Sequence, residues 1–594
     1  MSAPEKLAAL RLEMQARGVD CVYVPSDDFH QSEYVGDYFK SRAYISGFTG
    51  SAGTLVIFAD EAYLFTDGRY YLQAERQLEG SGIALMRSGS EGVPSVTELL
   101  RSKLSEGMTL AFDGRCVSAS FAESLSREIH GVNIASDIDF PGLIWLDRPP
   151  LPSSPVWQLD IKYCGRTHSE KLGDLRKKLA EQNCGALVLS SLCDIAWLYN
   201  LRGSDVENTP VFMSYSIITN ESDMLFANKT ALSKVAEQLE RDGVSLYDYD
   251  EFYPELKKLS GINVLLEKSA VSASIVNSLK DCKITDAANP TKLMKAKKNP
   301  TELDNLRLCH IADGLAVTRL MIELKFGERE FDELSCDEYL YKLRREAAER
   351  VGVTIIDKSF DTIAAFGPNA AMMHYSAKPD SFARIDKDAT IPMLLVDSGG
   401  QYLEGTTDIT RTFVLGKIPD EVKMHYTLTA CGMLRLLNLI FMDGATGSSL
   451  DIVCREVLWE RGIDYRCGTG HGVGYLLSVH EGPNRFHWRS GDAKLEEGMV
   501  TTDEPGVYVD GSHGIRIENE LVAAKGLHNE YGQFMRFENL TFCPIDRDGI
   551  DTKYMDKSDI DKLNAYHKSV YDTLNKYLCE NEREKLAYLT EEIS

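Results

Sequence analysis

The sequence predicts two related α/β domains followed by a larger α+β domain, and three observations carry that prediction. A succession of helix, strand, turn and hairpin patterns recurs about 160 residues after its first appearance. Proline-rich and lysine-rich stretches punctuate the chain at two places. Beyond the second of these, helical stretches alternate with glycine-punctuated, β-rich segments. The 594 residues suffice for three or four domains at the roughly 150 typical of each.

In the first unit Glu5 to Gln15 has helical spacing, Cys21-Val-Tyr-Val is strand-like, Tyr44-Ile-Ser-Gly-Phe-Thr-Gly is turn-rich, and Thr54 to Phe58 and Ala62 to Thr66 read as a hairpin. The same order returns with an amphipathic helix from Lys171 to Glu181, Gly185 to Ser190, Trp197 to Gly203, Val211 to Ile218 and Met224 to Phe226. Pro149, Pro150, Pro152 and Pro155 mark a linker, and Lys292 to Pro300 a second boundary. Residues 1–152, 153–300 and 301–594 are therefore expected as three domains. Thr301-Glu-Leu-Asp reads as a capping-box start, with Leu303, Leu306, Ile311, Leu315 and Leu320 on one face of the helix that follows. From Ser558 through Tyr566, Val570, Leu574 and Leu578 the chain reads as a helical tail that packs.

Composition narrows function before any motif does. With 43% apolar and 26% charged residues the chain is an ordinary folded protein. Its formal charge of −25 repels phosphate backbones and anionic lipid, so neither nucleic acid nor a membrane surface is an expected partner. The N-terminus lacks a signal-peptide pattern, and no stretch approaches the ~18 uncharged apolar residues of a membrane span. Thirteen scattered cysteines without a C-x-x-C pair indicate neither a disulfide framework nor a cysteine-zinc cluster, and a cytoplasmic location is expected.

The chemistry concentrates in the last domain. Ile391-Pro-Met-Leu-Leu-Val-Asp397 is a buried-strand pattern ending in a carboxylate, and Thr406-Thr-Asp408-Ile-Thr-Arg-Thr-Phe is the strand after a turn. Either aspartate alone reads as a turn or capping residue; together, eleven residues apart, they suit one face of a hairpin. Cys467-Gly-Thr-Gly-His471-Gly-Val-Gly sets a histidine among glycines, which permit close backbone approach and positive φ. Its G-x-G-x-G-x-G spacing matches neither a dinucleotide loop nor a P-loop. Val479-His480-Glu481-Gly-Pro lacks the second histidine of a zinc helix. Glu504, before a Pro-Gly turn, and Glu518, in Gly514-Ile-Arg516-Ile-Glu518-Asn519, lie in apolar strand patterns where carboxylates need a metal or an arginine.

Asp397, Asp408, His471, Glu504 and Glu518 thus provide four carboxylates and one imidazole. Four negative charges in one pocket repel prohibitively, whereas two divalent cations cancel them, so a two-metal site is expected. Oxygen-rich ligation with one nitrogen suits manganese, with zinc or cobalt as borderline occupants. Two ions roughly 3.5–4 Å apart would share a water, lower its pKa and present hydroxide to a carbonyl or phosphoryl centre.

These motifs in this order resemble the pita-bread metallopeptidases, and within them the cytosolic three-domain Xaa-Pro aminopeptidases, also called aminopeptidase P. The likeness extends to His30-Gln-Ser-Glu-Tyr, Ser46-Gly-Phe-Thr-Gly-Ser-Ala-Gly-Thr, Thr66-Asp-Gly-Arg-Tyr and Ile195-Ala-Trp-Leu-Tyr-Asn-Leu-Arg-Gly in the first two domains. The resemblance implies a pita-bread catalytic domain and a dimer acting on peptides with proline in second position. It implies that Asp397 is the terminal ligand of one metal, that Asp408 and Glu518 bridge, and that His471 and Glu504 ligate the other. His374 would lie over the substrate, His480 would hydrogen-bond the scissile carbonyl, Arg69 would lie near bound peptide, and Arg516 would hold the bridging carboxylates. Read from the residues alone, His374 is a satisfied core histidine, His480 a loop histidine and Arg69 a surface arginine. The family commonly has a histidine where this chain has Cys467, and no role is transferred there.

An Xaa-Pro bond is a tertiary amide without an N–H, so peptidases that grip that donor lose their handle. A hydroxide attacking a polarised carbonyl does not need it, with His480 stabilising the oxyanion and Glu504 moving the proton to the proline nitrogen. Prolidase, which cuts only dipeptides, methionine aminopeptidase, and pita-bread binding proteins that have lost their ligands are the competing readings.

Overall fold

The computed structural model describes every residue from Met1 to Ser594. The chain divides into two compact units, one of Met1–Leu159 with Arg166–Thr291, the other of Asp160–Gly165 with Lys292–Ser594.

The N-terminal unit holds two six-stranded sheets built on one plan. In the first, Ala84–Arg87, Ala62–Thr66, Thr54–Phe58, Cys21–Val24, Thr109–Ala111 and Asn133–Ala135 lie side by side. In the second the order is Ser245–Tyr247, Asp223–Ala227, Ser214–Thr219, Ala186–Leu189, Asn263–Leu266 and Lys283–Asp286. Each has an antiparallel hairpin beside its first strand and parallel neighbours at both ends. The repeated sequence pattern is thus a repeated topology. Helices cover these sheets because the strands are apolar on both faces: all four residues of Cys21–Val24 and of Ala186–Leu189 are buried.

The C-terminal unit opens with the long helix Pro300–Phe326. Its capping box starts two residues before the expected Thr301: the Asn299 side chain accepts from the Glu302 amide at 3.1 Å, and the Asn299 amide donates to Glu302 Oε2 at 2.9 Å. Pro300 occupies the first helical position, where its missing N–H costs nothing. Leu306, Leu315 and Leu320 are buried as the spacing requires, whereas Leu303 and Ile311 are half-buried.

Two sheets carry the functional region of this unit. One joins Ile363–Phe366, Met393–Ser398 and Ile409–Val414. The other runs Ile440–Met442, Gly532–Asn539, Asn519–Asn529, Val500–Asp503, Gly470–Gly472 and Glu481–Phe486. The helices Glu333–Val351, Asp420–Leu437 and Gly447–Trp459 share one apolar core with the long helix and these sheets. The tail packs as expected. Leu563, Tyr566, Val570, Leu574 and Leu578 join that core, each fully buried aliphatic side chain contributing about 1.5–3 kcal/mol.

Candidate metal centre

Asp397 is the penultimate residue of the Met393–Ser398 strand, directly opposite Thr410, and Asp408 precedes the Ile409–Val414 strand. Between them lies more than a turn: Gly400–Tyr402 and Gly405–Thr406 pair with each other and, with Ile355–Lys358, form a small three-stranded sheet. Asp408 is held by its backbone, whose N–H donates to Glu520 Oε1 at 2.6 Å. Glu520 is fully buried, and the same oxygen lies 3.1 Å from His310 Nε2.

His471 is delivered by a three-residue strand squeezed between two others. A Cβ on Gly470 would lie 1.8 Å from the Thr502 carbonyl oxygen, and one on Gly472 would lie 2.1 Å from that of Glu481. The glycines are therefore required by close approach alone. None of Gly468, Gly470, Gly472 and Gly474 takes the positive φ that the sequence suggested. His471 Nδ1 sits 3.0 Å from the Gly472 carbonyl oxygen. A carbonyl only accepts, so Nδ1 carries the proton and Nε2 turns its lone pair outward, 3.3 Å from Glu504 Oε1 and 3.5 Å from Asp408 Oδ2. Thr502 ties two of the groups together, its hydroxyl accepting from the His471 amide at 3.0 Å and donating to Glu504 Oε1 at 3.1 Å. Glu518 is fixed by its N–H to the Thr410 carbonyl at 3.1 Å and accepts from the Thr410 hydroxyl at 2.7 Å.

The five residues picked out by type and spacing therefore converge. Donor atoms of Asp408, His471 and Glu518 lie within 4.8 Å of one another, Glu504 is in reach of His471, and Asp397 faces the same group across the strand pair. Burial, then repulsion from Glu518 and Asp397, drives the Asp408 carboxyl well above the usual range. Burial and repulsion from Glu504 and Asp397 do the same to Glu518. Glu504 is pushed up to about 7, chiefly by burial and against the pull of Arg516. Asp397 Oδ1 and Glu518 Oε1 are buried without any hydrogen-bond partner. Buried carboxylate oxygens lacking donors call for cations, and oxygen donors with one imidazole lone pair fit hard or borderline divalent ions.

The remaining predicted residues divide. His480 stacks edge-on against His471, ring centroids 4.3 Å apart and planes at 83°. Its neighbour Glu481 is buried between Lys295 and Lys298, each ammonium 2.8 Å from one carboxylate oxygen. The lysine-rich stretch read as a domain boundary thus supplies two buried counter-ions to the residue next to His480. His374 is half-buried on the loop after Gly367–Ala371. Arg69 belongs to the N-terminal unit, where it forms a two-pronged pair with Asp67, 2.8 and 2.7 Å. Arg516, expected against the bridging pair, donates instead through Nη2 to Asp397 and through Nη1 to Tyr508 at 2.7 Å; it reaches Glu518 only by way of the Thr410 hydroxyl, 3.2 Å from its Nε. The Cys467 thiol is pushed up to about 12 by burial and then by Glu504, which keeps it neutral.

Sequence reasoning missed Thr410, Thr502, Tyr508, Glu520 and His310. Only Glu520 left a signal, since the alternation Arg516-Ile-Glu518-Asn-Glu520 puts a third ionisable residue in step with two already selected.

The same assembly is found in known proteins. Residues 304–525 match the family model of metallopeptidase family M24, and residues 533–594 that of the C-terminal region of peptidase M24. Residues 6–148 and 147–302 each match a creatinase/prolidase N-terminal domain. A "Probable Xaa-Pro aminopeptidase P" of Laccaria bicolor is 37% identical over 97% of this chain and 91% of its own length. The chain belongs to the Xaa-Pro aminopeptidase P family. A second member, from Botryotinia fuckeliana, is 38% identical over 96% of this chain and 90% of its own. Among solved structures, an X-prolyl aminopeptidase from Caenorhabditis elegans, described as a cytosolic enzyme with a di-nuclear active site, superposes with a TM-score of 0.93 at 30% identity over all of both chains. Two creatinase-type domains followed by a pita-bread metallopeptidase domain is thus the fold, as the sequence predicted. No helix is long and apolar enough to cross a membrane.

Proposed function

We propose that this protein is a metal-dependent aminopeptidase that releases the first residue of peptides carrying proline in second position. The observation that carries the reading is the approach of Asp408 and Glu504 to the His471 lone pair, with Glu518 grouped beside them and buried oxygens of Asp397 and Glu518 left without donors, in a chain that aligns over nearly its whole length with Xaa-Pro aminopeptidase P relatives.

Asp397, Asp408, His471, Glu504 and Glu518 would hold two divalent ions. Asp397 would serve one, Asp408 and Glu518 both, and His471 and Glu504 the other. Manganese fits this donor set, with zinc or cobalt as alternatives. Bound there, the ions supply Lewis acidity that acidifies a water and polarises a carbonyl. The protein's own groups do the rest. His480, held against His471, donates to the oxyanion that develops at the scissile carbonyl. Glu504 would carry the proton released by the attacking water to the proline nitrogen. His374 and His471 line the substrate position, Arg69 contacts peptide, and Arg516 fixes Asp397. The acidic pocket also suits the free α-amino group of the first residue, which makes the enzyme an exopeptidase.

Residues 1–152, 153–300 and 301–594 are taken as its three domains, a homodimer as its assembly and the cytoplasm as its location. The described cytosolic relative supports the last.

Release of the first amino acid from a short Arg-Pro-Pro peptide, with and without chelator and added manganese, tests the reading. Cleavage that chelator abolishes and manganese restores is expected; no release under any metal would overturn it. Cleavage of Xaa-Pro dipeptides alone would favour a prolidase, and absence of bound metal from purified protein a binding role.

A further inference from the structure

The carboxylate of Glu333 is fully buried and lies outside the metal cluster, yet it is saturated with donors. Oε1 accepts from the Phe366 amide at 2.8 Å and from Asn369 Nδ2 at 2.9 Å. Oε2 accepts from the Tyr375 hydroxyl and from the Ala383 amide, each at 2.7 Å. A third link to the same place runs through the backbone, the Glu333 N–H donating to the Ala383 carbonyl at 3.1 Å.

These partners are not scattered. Phe366 is the last residue of the Ile363–Phe366 strand and Ala383 lies seventeen residues on, so one side chain grips both ends of the segment that carries His374. Its grip on Tyr375 is one residue from His374 itself. Tyr375 is braced further by Asn369 Nδ2, 3.1 Å from its hydroxyl, and packs against Ala365, Ala370 and Leu395. The gripped strand is the one whose Ile363 stands opposite Asp397. No lysine or arginine pairs with Glu333, and burying a carboxylate that way is expensive unless donors surround it. Helix Glu333–Val351 has its own N-cap in Asp332, which accepts from Ser335, so Glu333 is not needed to cap it.

We infer that Glu333 is a positioning residue for His374, a pin that holds the 366–383 loop at a fixed height beside the Asp397 strand. The inference rests on the reading of His374 as a substrate-facing residue. Glutamine is the informative replacement: it keeps the volume but turns one acceptor oxygen into an NH₂, so two of the four donors lose their partner.

The experiment measures kcat/KM on the Arg-Pro-Pro peptide for wild type, Glu333→Gln, His374→Ala and the double variant, with metal content measured for each. Glu333→Gln is expected to lower kcat/KM about tenfold or more, with bound metal unchanged, and to cost less than about twofold in the His374→Ala background. Amide exchange at Phe366 and Ala383 should quicken in Glu333→Gln and stay slow in His374→Ala. Wild-type activity in Glu333→Gln, or the full loss repeated without His374, would overturn the inference while leaving the functional reading intact. An active His374→Ala enzyme would instead remove the role of His374 and the inference with it. Should Glu333→Gln fail to fold, Tyr375→Phe, which deletes one of the four donors, reads the same coupling in both backgrounds.

Discussion

Arg516 pairs with Asp397 through a single oxygen: Nη2 meets Oδ2, while Oδ1 stays buried without a donor. One oxygen is thereby neutralised and the other is left without a donor. Arg516→Ala removes the protein's own positive charge from a cluster of carboxylates. In chelator-treated protein this is expected to cost about 3–5 kcal/mol, the range for breaking a buried pair, and less with manganese present. Urea unfolding with and without metal checks it; equal losses in the two states would contradict the arrangement.

The acid cluster also makes stability depend on pH once metal is stripped. Glu504 titrates near 7 in the fold against an ordinary 4.5. The folded state thus holds that proton more tightly, so its stabilising effect is complete below 4.5 and is lost as pH rises through about 7. The thermal midpoint of stripped protein should fall across that window more steeply than that of Glu504→Gln. Manganese should flatten the slope. A stripped wild type with the same slope as the variant would refute the prediction.

A pair of histidines acts in the opposite direction. His425 Nδ1 and His513 Nε2 are 3.0 Å apart, both residues buried, with Ser512 Oγ 2.8 Å from His513 Nδ1. Burial, then the neighbouring His425, lowers His513 from 6.5 to about 4, and burial lowers His425 despite Glu421. The fold keeps both neutral, so stability is complete above 6.5 and lost as pH falls towards 4. Replacing His513 by Phe should make the wild-type acid sensitivity in this window shallower, as followed by thermal melts from about pH 7 to 4.

Beneath His480, burial raises the Glu481 carboxyl, but Lys295 and Lys298 outweigh it and hold the group ionised. Glu481→Gln leaves two buried ammonium groups without their counter-ion, at an expected cost of about 3–5 kcal/mol. It also loosens the residue next to His480, so kcat should fall more than KM rises. Steady-state kinetics beside a urea melt separate the two effects; unchanged kcat in a destabilised variant would show that His480 needs no such anchor.

Much of the candidate site was legible because only a few residue types can hold a metal, and these stand near strand ends. Asp397, Asp408, His471, Glu504 and Glu518 stood out as carboxylates and an imidazole in apolar strands, a costly placement that sequence alone exposes. Arg516 was legible as a cation but its partner was not. Asp397 and Glu518 are both a short reach from it, and only the register opposing Asp397 to Thr410 decides which receives the guanidinium. Thr410, Thr502 and Tyr508 left no trace, because hydroxyls in strands are ordinary until a neighbour from another strand arrives.

Local chemistry written in the chain determined the duplicated α/β plan, the candidate ligand types and the place of each near a turn, because periodicity and residue character act over a few positions. Three-dimensional packing decided the rest: that Gly470 and Gly472 serve close contact and not positive φ, and that a lysine-rich boundary becomes a buried counter-ion pair for Glu481. Each of these depends on which distant atom arrives within about 3 Å, the range over which hydrogen bonds and steric exclusion act.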